Sequence, residues 1–207
     1  MIAELRRRGG FAWLLVLGLL VLSGCGDKPL EPLVTGDRVL AFGDSLTEGV
    51  GASESSAYPA RLEAMIGHPV VNAGISGETS AEGLRRLPDV LDRHDPALII
   101  LLTGGNDVLR NQDLAEAKRN IARMIELTQG RGVEVVLVGV PRKSLFSDSA
   151  PLYRELAEFY DVVLVDDLVA GLLRRPGYKS DAVHLNADGY RAMAERLADV
   201  LREAGAL

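Results

Sequence analysis

A hydroxyl nucleophile, an imidazole base and a carboxylate that orients the base are the side chains acyl transfer needs, and this chain offers one plausible set. It has 207 residues and three histidines, so the base can be sought by elimination. His68 precedes Pro69 at the entrance of an apolar run, and His94 sits in the polar stretch Asp92-Arg93-His94-Asp95. His184 differs: it lies in Ser180-Asp181-Ala182-Val183-His184-Leu185-Asn186, three residues after a carboxylate. One turn of chain can set Asp181 against Nδ1, fix the tautomer and leave Nε2 to take a proton from a serine. A capped helix start carrying an incidental histidine would read the same way. The serine is Ser45, in Phe42-Gly43-Asp44-Ser45-Leu46-Thr47-Glu48-Gly49. A serine where a strand turns into a helix presents its hydroxyl at the sheet edge, beside backbone N–H groups free to stabilise an oxyanion. A Ser or Asp cap in a glycine-flanked turn is the plainer account of that loop.

Two further loops carry polar groups that could face a ligand. In Asn72-Ala73-Gly74-Ile75-Ser76-Gly77-Glu78-Thr79-Ser80, Gly77 can offer a backbone N–H with no Cβ in the way, although a structural turn explains it equally well. In Thr103-Gly104-Gly105-Asn106-Asp107 a double glycine brings an amide side chain over the sheet end, where Asn106 is either an uncharged donor or an Asx turn. Neither G-x-G-x-x-G nor G-x-x-x-x-G-K-[ST] occurs at the first loop, which argues against a nucleotide. The G-x-S-x-G elbow is absent there too. One cysteine, Cys25, rules out an internal disulfide, and one Cys with three His makes a structural metal implausible. No metal and no cofactor is expected.

The elements that must position these residues follow from apolar patterning. Five β-branched apolar runs, at 38–42, 69–73, 97–102, 133–139 and 162–165, alternate with amphipathic segments. Near-continuous apolarity marks strands covered on both faces, hence a parallel sheet. In one helical segment Leu114, Ala117, Ile121, Met124 and Thr128 step by three and four residues up to Gly130. In the last, Asn186 is the cap, and Tyr190, Met193, Leu197 and Val200 or Leu201 form the buried stripe. The pattern predicts a three-layer α/β/α sandwich with right-handed crossovers and ligands at the carboxyl ends of the strands. In a flavodoxin-like 2-1-3-4-5 order the first three strands are neighbours, so the three loops converge.

The amino terminus predicts export. Arg6, Arg7 and Arg8 precede an almost continuous apolar run from Phe11 to Val21, and Leu22-Ser23-Gly24-Cys25 follows at once. That tetrapeptide resembles the bacterial lipobox, which implies cleavage before Cys25 and a lipid on its sulfur. Residues 1–24 are therefore assigned to a signal peptide, 25–36 to the lipidated cysteine and a tether, and 37–207 to the folded domain. Removing residues 1–24 takes away Arg6, Arg7, Arg8 and Glu4 and leaves 20 basic against 28 acidic side chains, an excess of 8 negative charges. Such a surface repels nucleic acid. The expected location is the bacterial cell envelope, lipid-anchored and facing the periplasm or the cell surface.

Gly43-Asp44-Ser45-Leu46, Gly77, Gly104-Gly105-Asn106-Asp107 and Asp181-x-x-His184 occur in the order and spacing of the four signature blocks of the SGNH (GDSL) hydrolase family. The resemblance spans residues 38 to about 204 and is greatest to the bacterial secreted thioesterase I, lysophospholipase and arylesterase group. It implies the SGNH hydrolase fold and a serine esterase acting on small acyl or aryl esters, thioesters or lysophospholipids. It also implies that Ser45 is the nucleophile, His184 the base, Asp181 its orienter, and that the Ser45 N–H, the Gly77 N–H and the Asn106 side chain form the oxyanion hole. Glu78 stands where many relatives have Asp, a change expected to be harmless. Many members of this group are soluble after export, so the lipobox marks a tethered variant. Leu109, Leu145, Phe146 and Tyr153 are apolar candidates for an acyl groove. A carbohydrate O-deacetylase is the alternative with the same chemistry, but aromatics make up only 5% of the chain and its one Trp lies in the signal. A catalytically inactive lipoprotein binding module is the alternative of another class. A monomer is expected.

Overall fold

The computed structural model describes residues 29–142 and 149–207. The signal peptide, Cys25, Leu145 and Phe146 lie outside the described residues. Five strands, β1 (Val39–Gly43), β2 (Val70–Gly74), β3 (Leu98–Leu102), β4 (Glu134–Val138) and β5 (Val163–Val165), form one sheet in the order β2-β1-β3-β4-β5. Every pairing is parallel, with Gly43 level with Gly74 on one side and Leu102 on the other. The expected order is therefore the observed one.

The apolar runs form strands because both faces are covered. β1 and β3 are buried at every position, Leu98 to Leu102 without any exposed surface. Each such Leu or Ile contributes roughly 1.5–3 kcal/mol through burial. β2 departs from the expectation of full cover: it is an edge strand, and its Asn72 is exposed. The major helices are α2 (Tyr58–Ile66), α3 (Ser80–His94), α5 (Leu114–Gln129), α6 (Pro151–Tyr160), α7 (Leu168–Leu173) and α8 (Ala187–Glu203). α8 packs against α2 and α7, and α5 against α3 and α6. Two one-turn helices, α1 (Ser45–Glu48) and α4 (Gly105–Leu109), start directly behind β1 and β3.

The stripe on α5 is buried at Ala117, Ile121, Met124, Ile125 and Thr128, whereas Leu114 is exposed because it sits at the first position of the helix, ahead of the packed turns. On α8 the expected stripe is buried throughout, and the Asn186 side chain caps the helix by accepting from the Gly189 N–H at 3.0 Å. Leu30 and Leu33, within the stretch assigned to the tether, are docked on the far end of α8. Their N–H groups donate to Ala204 O at 2.8 Å and Ala206 O at 2.9 Å, and the Leu30 side chain is buried. No helix of the described residues is long and apolar enough to cross a membrane.

Candidate active site

Ser45 owes its position to a turn that only glycine permits. A Cβ on Gly43 would stand 2.2 Å from Leu102 O and 2.4 Å from Thr47 Oγ1, so β1 can end beside β3 and turn at once into α1 only with glycine there. Asp44 caps the turn, its carboxylate accepting from the Leu46 N–H at 3.1 Å. Ser45 is then the first helical residue, and its N–H has no acceptor within the helix. Asp44 itself is buried, and burial raises its carboxyl from the ordinary aspartate range to about 6.

His184 reaches Ser45 from the segment before α8. Its Nε2 is 3.0 Å from Ser45 Oγ, and its Nδ1 is 2.7 Å from Asp181 Oδ2. The other Asp181 oxygen accepts the N–H groups of Val183 and His184, both at 2.8 Å. Three donors on one carboxylate, the imidazole foremost, hold Asp181 well below the ordinary range, at about 2. The whole segment is fixed to the α1 side of the molecule by the Tyr190 hydroxyl, which donates to Val50 O at 2.8 Å. His68 and His94 lie at the other edge of the sheet, beside the starts of β2 and β1.

Gly77 and Asn106 line the same groove as Ser45 and His184. Gly77 has φ +79°, a left-handed conformation that favours glycine, within a turn closed by the Glu78 N–H on Ile75 O at 3.2 Å. The Asn106 Nδ2 donates to Glu78 O at 3.0 Å, which binds the third loop to the second. That amide nitrogen carries two hydrogens, so one remains for a ligand.

The supports of these loops were not legible in the motifs. Arg86, from α3, makes a fork with buried Glu78 (2.5 and 2.6 Å) while its Nη2 also donates to Ala73 O at 2.8 Å and Gly43 O at 3.3 Å. Its guanidinium lies 3.9 Å from the centroid of the Phe42 ring. One side chain thus joins the ends of β1 and β2 to the turn that carries Gly77. Glu78, read as a harmless replacement, is the acceptor of that fork. Asp107 is a second support: buried, it accepts from the Ser80 N–H at 2.8 Å and the Ser80 hydroxyl at 2.6 Å, and Asn120 donates to that hydroxyl at 3.0 Å. The usable signal for Arg86 is its place three residues after Gly83 and four before Val90, both on the buried stripe of α3.

A groove of about 220 Å³ runs from Ser45 between aliphatic side chains that include Val108, Leu109, Val140, Val169, Leu173 and Val183. Leu109 is the one described groove candidate that lines it. Tyr153 does not: it is core, its hydroxyl donating to Thr103 O at 2.7 Å, in space left because residue 104 is glycine. Among the described residues no group of three or more His, Cys, Asp and Glu side chains could hold a metal ion. The arrangement can deprotonate a hydroxyl at the head of an apolar slot and offer N–H donors opposite it.

By class this is a carboxylic ester hydrolase. The chain belongs to the GDSL-like lipase/acylhydrolase family, which it matches over residues 41–192, and that is the family its four motifs resemble. It is 37% identical over 127 residues to esterase TesA of Pseudomonas aeruginosa strain PAO1, a stretch covering 58% of this chain and 63% of that relative, less than two thirds of its length. It is 30% identical over 174 residues to thioesterase 1/protease 1/lysophospholipase L1 of Escherichia coli strain K12, covering 80% of this chain and 84% of the relative. Among solved structures it is similar to AlinE4, an SGNH-hydrolase family esterase, with a TM-score of 0.65 and 33% identity over 83% of this chain and 98% of that one.

Proposed function

We propose that the protein is a serine esterase that cleaves carboxylic esters by two-step acyl transfer to water. The observation that carries this reading is the 3.0 Å approach of His184 Nε2 to Ser45 Oγ at the head of an apolar groove. In the first step Ser45 Oγ bonds to the acyl carbon while its proton passes to His184, and the C–O bond to the alcohol breaks as His184 returns that proton to the leaving oxygen. In the second, water loses a proton to His184 and bonds to the acyl carbon, and the bond from that carbon to Ser45 Oγ breaks as His184 returns the proton to Oγ, releasing the acid and restoring Ser45. Asp181 keeps the ring in one tautomer and stabilises its charged form. The Ser45 N–H, the Gly77 N–H and the free hydrogen on Asn106 Nδ2 hold the oxyanion.

The aliphatic lining favours an acyl chain over a sugar, which supports an acyl ester, thioester or lysophospholipid substrate ahead of an O-acetylated carbohydrate. The leading sequence supports export and attachment to the envelope through a lipid on Cys25. A fluorophosphonate probe tests the chemistry: the native protein should carry one phosphonyl group on Ser45, located by peptide mass spectrometry. A folded protein that leaves the probe untouched would overturn the assignment in favour of an inactive binding module. Radiolabelled palmitate tests the anchor, which should be incorporated by the full chain and lost in Cys25→Ala.

A further inference from the structure

We infer that the groove opens away from the membrane that holds the anchor, so that the substrates are esters arriving through water and not lipids lying in the same leaflet. The inference deepens the proposed function and rests on two of its readings, the esterase chemistry and the lipid on Cys25. Its geometric basis is the position of the tether root relative to the base.

Leu30 is fixed to the last turn of α8 by the bond from its N–H to Ala204 O, and its side chain is buried there. His184 stands just ahead of the cap, Asn186, at the first turn of the same helix. α8 has 17 residues, and at 1.5 Å per residue it separates the two by about 25 Å. The sheet repeats the separation. β1 starts at Val39, close behind the docked segment, and delivers Ser45 beyond its carboxyl end. Tether root and nucleophile thus lie at opposite poles of the domain.

The covalent reach is shorter than that separation. Cys25 and Leu30 are five residues apart in sequence, and a fully extended chain of that length spans about 17 Å. A domain held on so short a leash can tilt on the bilayer. It cannot invert, because inversion would lift the root by at least the length of α8. An ester carbonyl at the bilayer surface would have to leave the membrane to meet Ser45. A diffusible ester meets an open groove with no such cost, and the anchor then concentrates the enzyme at the envelope without selecting lipids as substrates.

The experiment uses the full lipidated chain, purified in detergent and reconstituted into phosphatidylcholine vesicles. It is compared with a variant carrying roughly 30 Gly/Ser residues between Asp27 and Lys28, whose insert has a mean span of ~30 Å. Two probes with the same acyl group remove any chain-length preference: 7-hydroxycoumarin butyrate in the buffer, and the butyrate of a coumarin bearing a hexadecyl chain, held in the vesicles. The free probe should be hydrolysed at equal rates by both proteins. The vesicle-held probe should be cleaved at least about tenfold faster by the long-tether variant, since only that protein can bring the groove to its own membrane. Equal rates on the vesicle-held probe would overturn the inference while leaving the esterase reading intact. Failure of both proteins on the free probe would overturn the esterase reading, and loss of the native protein from the vesicles the anchor reading, each taking this inference with it.

Discussion

Ser45 is approached from two sides that are built on different principles. On one side, Asp181 and His184 are three residues apart and held by bonds within their own segment, and the Asp181 side chain is 54% exposed. On the other, Gly77 and Asn106 are positioned by buried and half-buried groups drawn from β1, β2, α3, α4 and α5, with partners such as Asp107 and Ser80 separated by 27 residues. In the proposed mechanism the first side supplies the group that moves the proton, and as an exposed segment it should add little to stability. In the same proposal the second supplies the fixed donors, and its supports, Glu78, Ser80 and Asp107, are buried. Substitutions should therefore divide accordingly, with exposed residues costing turnover and buried ones costing turnover and stability together.

The largest effect is expected at the centre. Ser45→Ala should lower hydrolysis of p-nitrophenyl butyrate by on the order of 10,000-fold or more while leaving the thermal midpoint within about 2 °C. Asp181→Asn should follow, with turnover reduced roughly 1,000-fold because the ring loses the anion that fixes its tautomer, somewhat less than for a buried counterpart. Steady-state kinetics on the same ester reads both. Asn106→Ala should reduce turnover by about 100- to 1,000-fold with KM within about threefold. A change confined to KM would place Asn106 in substrate binding instead.

Arg86 belongs to the second side, and its two substitutions sharpen the contrast. Arg86→Gln leaves the buried Glu78 carboxylate without its fork, which should cost roughly 2–4 kcal/mol in urea unfolding, somewhat less than for a fully enclosed pair. Turnover should fall about tenfold with KM little changed, because the Gly77 turn loses its tie to β1 and β2. Arg86→Lys should recover part of the stability and less of the turnover, since an ammonium cannot serve the carboxylate and two strand carbonyls together. Wild-type turnover in a destabilised Arg86→Gln protein would reduce Arg86 to a core residue.

The same division governs what the sequence reveals. The strands are legible because continuous apolar runs have few alternatives in a sheet covered on both faces, and the loops because each follows a run directly. Asp181 and His184 are legible because their interaction is local, so that spacing alone encodes it. Arg86 is one charged residue among many on an amphipathic helix, and nothing nearby in sequence announces that Glu78, Ala73 O and Gly43 O converge on it. Tyr153 misleads for a related reason: an aromatic near a strand end suits a groove wall or a core equally, and the decision falls to Gly104, 49 residues earlier, whose missing side chain admits the ring's hydroxyl. Long-range partners are fixed by packing, which no local pattern records.

The smallest effect comes from Asp181 again, measured by stability. Its carboxyl lies at about 2 in the folded protein against an ordinary 3.8, so the folded state favours the ion. A depressed carboxyl contributes stability above the unfolded value and loses it as pH falls from about 4 through 2. Because the side chain is more than half exposed, solvent screening should hold the contribution under about 1 kcal/mol. Wild-type and Asp181→Asn proteins should therefore show a nearly constant difference in urea unfolding between pH 7 and pH 5, narrowing by less than that amount toward pH 3. Subtracting the two curves removes the carboxylates they share, buried Asp44 among them. That carboxyl is raised to about 6, so its own contribution runs the opposite way, strengthening the fold as pH falls from about 6 to 4. A difference of several kcal/mol that collapsed below pH 4 would mean that the exposed segment supports the fold as well as the chemistry, and the division between the two sides of Ser45 would fail.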